Sequence, residues 1–258
     1  MTNLRIACIS AAAAAALLVA GSDVLATSRA HAIPATVHQS SSNASGTGVI
    51  TGKVYFHGTP PQLRPILMDK DPVCASEQSG TVLPEDGRVN TNGTLPDAFV
   101  YIEKGPGNLS AAVPATPVTL TQKGCTYEPH VLGIVVGQTL QVVTSDPTTH
   151  NIHVMPKGSR SWNVTQQPGS PSITSKFSHP EIMVPVRCNI HPWMEAYIGV
   201  VSNPYFAVTG NDGSFQIEGL PPGDYTLDVW VASFGTQQRQ VTVRPGEKAS
   251  IDFAFAGQ

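Results

Sequence analysis

Charge is scarce in this sequence. Lys, Arg, Asp and Glu together make up 13% of the 258 residues, and the formal net charge is only −3. A nucleic-acid surface needs clustered Lys and Arg, and no such cluster occurs, so that class of partner is excluded. Beyond Ala20 no stretch is apolar over the roughly 20 residues that a bilayer span takes. No segment carries a sustained helical period either. Glycine and proline, in contrast, are abundant at 23 and 22 residues, spread through the chain without a repeat. With frequent Val, Thr and Ile between them, they read as many short strands joined by tight turns, an all-β protein. The chain is long enough for one or two domains with cores of their own.

The N-terminus reads as a targeting segment. Arg5 supplies a positive start, and Ile6 to Ala20 is an uncharged, alanine-heavy run. Small-residue cleavage sites follow at Val24-Leu25-Ala26 and at Ala30-His31-Ala32, the second of A-x-A form. Because the run is short for a span, residues 1–32 are expected to be a cleaved secretory signal, leaving no transmembrane span. That places the mature chain in the periplasm or outside the cell. Residues 33–48, rich in Ser, Ala, Thr and Asn, read as a flexible linker. Cys8 would leave with the signal, so the mature chain keeps Cys74, Cys125 and Cys188. Exported thiols tend to pair, and an odd count asks for a reason. If Cys188 holds a metal as thiolate, Cys74 and Cys125 are left to pair. The alternative is that one of them binds a second metal.

Alternation of apolar and polar residues marks Ile50 to Phe56 as a half-buried strand. A loop-rich region with Pro60, Pro61, Pro65, Pro72 and Pro84 follows. Strand-like runs resume at Ala98–Ile102, Val118–Leu120, Gly133–Val136 and Thr139–Val143, with Gly137-Gln138 as the turn between the last two. Two short segments carry chemistry. One is Asp146 to His153, and the other is Cys188-Asn189-Ile190-His191-Pro192-Trp193-Met194, a C-x2-H-x2-M loop entered from the run Ile182 to Arg187. A redox copper wants soft sulfur for Cu(I) and imidazole that suits both oxidation states; two His, one Cys and a weak axial Met meet that need. His and Met are rare here, 8 and 5 residues, so their coincidence after a cysteine is informative. One loop can supply Cys, His and Met, while the other His must be brought in by the fold.

These two segments resemble the copper loops of the cupredoxin family, and the short C-x2-H-x2-M spacing is more similar to amicyanin than to plastocyanin. The stretch from Tyr127 to Leu140 resembles the family's lead-in to its first ligand. The likeness implies a Greek-key β-sandwich over residues 96–203 with one type 1 copper, ligated by His150, Cys188, His191 and Met194. It implies that Asn151 ties the two loops together by hydrogen bonds, and that Pro192 and Trp193 leave one imidazole edge exposed to a partner. The strand before Cys188 departs from the family in carrying Met183, Pro185 and Arg187. His153 is a competing ligand, although strand alternation turns it away from His150. His130 is expected to partner backbone, and His38, His57 and His179 to lie on loops or the surface.

The tail, residues 204–258, has its own pattern. Asn211-Asp212-Gly213 between alternating runs signals a hairpin, and Pro221-Pro222-Gly223 signals a second turn before Asp224-Tyr225-Thr226-Leu227. It resembles a carboxypeptidase regulatory-like (transthyretin-like) β-sandwich, and no peptidase ligand pattern accompanies it. Residues 49–95 open with a strand and turn similar to the same module, which leaves two arrangements: one sandwich built from both ends of the chain, or a separate N-terminal subdomain. The expected function is one-electron transfer, as a carrier rather than a catalyst, with a c-type cytochrome or an oxidoreductase as partner. The alternative is a chaperone-like copper-binding protein of the cell envelope.

Overall fold

The structure, a computed structural model, describes residues 46–257. The expected signal 1–32, Cys8, His38 and all but the end of the linker lie outside the described residues. In chain order the strands are β1 (Gly48–His57), β2 (Phe99–Lys104), β3 (Val118–Lys123), β4 (Thr126–Glu128), β5 (Val131–Val135) and β6 (Thr139–Thr144). They continue with β7 (His150–Val154), β8 (Trp162–Gln166), β9 (Ile173–Lys176), β10 (Glu181–Arg187), β11 (Glu195–Val201) and β12 (Phe206–Val208). The last are β13 (Ser214–Leu220), β14 (Gly223–Val231), β15 (Gly235–Val243), β16 (Lys248–Ser250) and β17 (Phe253–Ala256). One short helix, α1 (Pro72–Glu77), interrupts the described residues. Pro72 opens it, where a missing N–H costs nothing, and the Asp71 side chain caps its first turn.

The strands form two β-sandwiches. In the first, a sheet of order β13-β1-β16, with β17 also on β1, faces a sheet of order β12-β2-β14-β15. β1 runs antiparallel to β13 and parallel to β16 and β17, so strands from the two ends of the described chain complete one core. Alternation supplies that core: Ile50, Val54 and Phe56 of β1 point inward together with Leu227 and Val229 of β14 and Phe253 of β17. The second sandwich pairs β5-β11-β10-β7-β8 with β4-β3-β6-β9. Leu120, Leu140, Val142, Ile152, Val184, Val186 and Ile198 fill it without solvent contact.

β2 corrects one expected boundary. Residues 96–203 were to form the copper-type domain, but Phe99–Lys104 pairs with β12 and β14 in the first sandwich. The reason is its double burial. Val100 and Ile102 face the first core, while Phe99 and Tyr101 on the opposite side enter a cluster with Val131, Val135, Met183 and Val201 of the second sandwich. A short apolar run of this kind does not reveal which sheet it serves.

The joint between the sandwiches depends on a pair of glycines. Gly133 on β5 and Gly199 on β11 are register partners. A Cβ on Gly133 would stand 2.1 Å from the Phe206 ring, and one on Gly199 would stand 2.4 Å from the Phe99 ring. The missing side chains make a slot that aromatic rings of the first sandwich fill. Gly199→Ala should therefore overpack the joint and lower stability by about 1–3 kcal/mol. Denaturant unfolding would register this, and an unchanged midpoint would contradict the packing.

Candidate metal centre

Pairing of β7 with β10 builds the centre. Val154 lies opposite Val186 and His153 opposite Arg187, so the residues that follow β10 run back alongside the start of β7. That register sets Cys188 beside Asn151, whose backbone N–H points to the Cys188 sulfur at 3.4 Å. The Asn151 side-chain oxygen accepts the Asn189 N–H at 3.1 Å, tying the two loops together. The loop then closes on itself: Met194 N–H donates to His191 O at 2.9 Å, and Cys188 N–H to Met194 O at 3.1 Å. A second N–H, from His191, reaches the sulfur at 3.4 Å.

Three of the four expected ligands converge through named donor atoms. His150 Nδ1 is 3.0 Å from His191 Nδ1, and the Cys188 sulfur is 3.9 Å from His191 Nδ1. One donor atom from each of His150, Cys188 and His191 lies within 4.8 Å of the other two. Each imidazole turns its other nitrogen to a carboxylate: His150 Nε2 meets Asp146 Oδ2 at 2.7 Å, and His191 Nε2 meets Asp71 Oδ2 at 2.8 Å. The rings are thereby oriented with Nδ1 facing inward, the arrangement a metal-binding imidazole needs. Burial completes the enclosure, with exposures of 0% for His150, 3% for Cys188, 2% for His191 and 1% for Met194. Met194 sits in the core of the second sandwich beside Cys188. Two imidazole nitrogens and one thiolate are a donor set that suits copper.

Electrostatics set the charge of the cluster in the metal-free chain, where a proton on His150 would have to leave before a metal binds. Burial alone would depress His150, but the Asp146 carboxylate and the Cys188 sulfur raise its pKa to about 9. Burial likewise opposes ionisation of Cys188, yet the His150 imidazole and backbone N–H groups of His191 and Asn151 pull its pKa below the usual thiol value. The hydrogen bond from His191 holds Asp71 below the usual carboxylate range. Asp146, despite burial, is lowered by His150 and by the N–H groups of Cys125 and Gly124.

Cys74 and Cys125, the two cysteines left over once Cys188 is set aside, are joined in a disulfide. His153 lies away from the donor group, its Nδ1 3.4 Å from Asn189 Oδ1. His130 contacts the backbone oxygen of Glu195 at 3.1 Å and, in addition, Asp86 at 2.8 Å. The exposed imidazole edge is corrected: Asp71 occupies the outer nitrogen of His191, Trp193 packs against the ring at a tilt with 5.1 Å between centroids, and the Trp193 N–H is held by Cys125 O at 3.0 Å. Asp71 and Asp146 are the functional residues that sequence reasoning passed over. An Asp before a proline can cap a helix, and Asp146 stands four residues before His150, but neither pattern names a histidine partner.

A comparison with curated proteins finds no match. Residues 195–256 match the carboxypeptidase regulatory-like domain, from β11 through β17. Among solved structures the chain is similar to a copper-containing nitrite reductase from Thermus scotoductus, with 25% identity and a TM-score of 0.31 over 38% of this chain. That alignment covers only 25% of the reductase. A purple cupredoxin from Nitrosopumilus maritimus aligns at 20% identity and TM-score 0.28, over 32% of this chain and 98% of its own. Amicyanin aligns at 19% identity and TM-score 0.31, over 41% of this chain and 99% of its own. Any functional reading of the centre rests on its donor geometry and not on these partial likenesses.

In the metal-free chain His150 should titrate near pH 9. Its folded pKa lies above the ordinary imidazole value of about 6.5, so the stability it contributes is full below about 6.5 and is lost as pH rises through the folded value. Asp146→Asn should bring the titration back toward the ordinary range and flatten that loss. Histidine NMR with parallel denaturation at each pH measures both; a wild-type His150 that titrates in the ordinary range would contradict the Asp146 pairing.

Proposed function

We propose that the chain is an exported type 1 copper protein that carries single electrons, in which His150, Cys188, His191 and Met194 would hold the copper. The observation that carries this reading is the convergence of two Nδ1 atoms and one sulfur, with both Nε2 atoms already engaged by Asp71 and Asp146. Copper, when bound, supplies a couple between Cu(I) and Cu(II) that soft sulfur and imidazole both tolerate. The chain's own residues supply rigidity. Asn151 locks the two loops, two backbone N–H groups stabilise the Cys188 thiolate, and the carboxylates keep each ring from turning. A donor set held still before and after the electron arrives keeps rearrangement small, which favours outer-sphere transfer.

Enclosure argues for a carrier. The expected ligands are buried, and α1 with its cap lies over His191, which favours a closed site over one that admits substrate. The same enclosure disfavours rapid hand-over of the ion, which a chaperone needs. Export is supported by the Cys74–Cys125 disulfide, a bond at home in an oxidising compartment. Among the described residues no helix is long and apolar enough to cross a membrane. A redox protein such as a c-type cytochrome or an oxidoreductase would be the partner. The regulatory-like sandwich would have a structural or docking role.

The Cu(II)-loaded mature chain should be blue through Cys188-to-copper charge transfer, and Cys188→Ala should remove the colour; retention of the band in that variant would sink the reading. Fast loss of Cu(I) to a chelator would favour the chaperone instead.

Met194 is tested by voltammetry. Met194→Leu removes a weak soft donor but adds an apolar group, so the potential should rise while the colour stays. Met194→Gln offers a harder oxygen and should lower it. If Met194 only fills the core, the near volume-conserving Leu should leave the potential unchanged.

A further inference from the structure

The disulfide lies directly behind the two imidazoles. Cys74 Sγ is 3.6 Å from His191 Nε2, and both bridged cysteines are fully buried. The two halves of the bridge have matching roles. Cys74 N–H donates to Asp71 Oδ1 at 3.2 Å, and Cys125 N–H donates to Asp146 Oδ2 at 2.8 Å. Each cysteine thus holds one carboxylate, and each carboxylate holds one imidazole.

What else secures them differs. Asp146 belongs to the same sandwich as its histidine and takes a further N–H from Gly124 at 2.6 Å. Asp71 is 120 residues from His191 in sequence and arrives on the long segment between β1 and β2. Its remaining anchors are one local bond, from Val73 N–H at 2.9 Å, and one long-range contact at the limit of hydrogen bonding, from the Thr148 hydroxyl at 3.5 Å. α1 has only six residues, too few to hold a fixed position by helical bonds alone.

We propose that Asp71 is a positioning residue for His191, and that the Cys74–Cys125 bridge is the covalent tie that, beside the Gln78 side chain donating to Gly124 O at the end of α1, keeps it in place, so the disulfide governs one of the two histidine ligands and leaves the other alone. An imidazole that donates Nε2–H to a fixed carboxylate presents Nδ1 as its free lone pair; without that partner the ring turns and either nitrogen can carry the proton. The inference rests on the copper reading only for its consequence in metal affinity. The orientation of the rings exists in the metal-free chain.

The test compares the full mature chain with Asp71→Ala and with the pair Cys74→Ala, Cys125→Ala. In metal-free protein, ring NMR should show the His191 Nε2–H exchanging rapidly with water in both variants while the His150 Nε2–H stays protected. Cu(II) affinity, measured by competition, should fall about 10–100-fold in each. Adding Asp71→Ala to the cysteine pair should cost little more, because both changes break one chain of contacts. A protected His191 N–H in the cysteine variant would overturn the proposal, as would equal loosening of both histidines. Loss of folding in the cysteine variant would also overturn it, since a selective tie leaves the two sandwiches standing. The Asp71→Ala variant keeps the disulfide and tests the positioning step alone. If the wild-type chain bound no Cu(II), the proposed function would fail while the ring-exchange comparison still decided this inference.

Discussion

The hydrogen-bonded register between β7 and β10 is the constraint on which the rest depends. Only two register pairs are made, Val186 with Val154 and Arg187 with His153, yet they settle where Cys188 ends up relative to His150. A slip by one residue would turn β7 over, send His150 to solvent and bring His153 inward. The sequence guards against the slip by burying Ile152 and Val154 without solvent contact, so an inverted strand would expose them. Which of His150 and His153 joins the donor group is thus decided by hydrophobic packing, one step removed from any metal.

Around that register the interior tolerates an unusual density of polar groups. His150, His191, Asp146 and Asn151 are all buried, and each is paired with another polar atom. Buried polar groups of this kind are tolerable only when every one is satisfied. The result is a stiff cluster in which each ring is held from behind while its inner nitrogen faces the other donors. A second network, of buried His130 with the part-exposed Asp86, Glu85 and Tyr197, braces the segment before β2 against the lead-in to β5. It seats the part of that stretch beyond α1 on the second sandwich.

Legibility of this arrangement followed sequence distance. The C-x2-H-x2-M loop could be seen because one tight turn gathers those side chains, and Asn151 through the resemblance that its segment carries. Asp71 could not be tied to His191, because a carboxylate 120 residues away signals only its local task of capping α1. Asp146 was within reach but reads as a turn residue before Pro147. The cysteine count left Cys74 and Cys125 over once Cys188 was set aside, and the structure bonds them. The strand at Phe99 was given to the wrong sandwich because it is buried on both faces, which erases the alternation that would have shown its allegiance. The covering of His191 was missed for the same reason as Asp71: it is made by another part of the chain.

The joining of β1 to β16 and β17 sets an order of events for the growing chain. The Lys53 N–H reaches the Asp252 side chain across 199 residues, so the first sandwich cannot be finished until its last strands are available. The second sandwich runs uninterrupted from β3 to β11 and has no such wait. Once folded, it holds the residues before β3 and after β11 together and shortens the loop that β2 must close to meet β12, cutting the entropy of that closure. The inserted unit therefore acts as a template for its host. Until β17 arrives, the β1 edge stays open and able to pair with a neighbouring chain, which makes the interval before completion the one most exposed to misassembly.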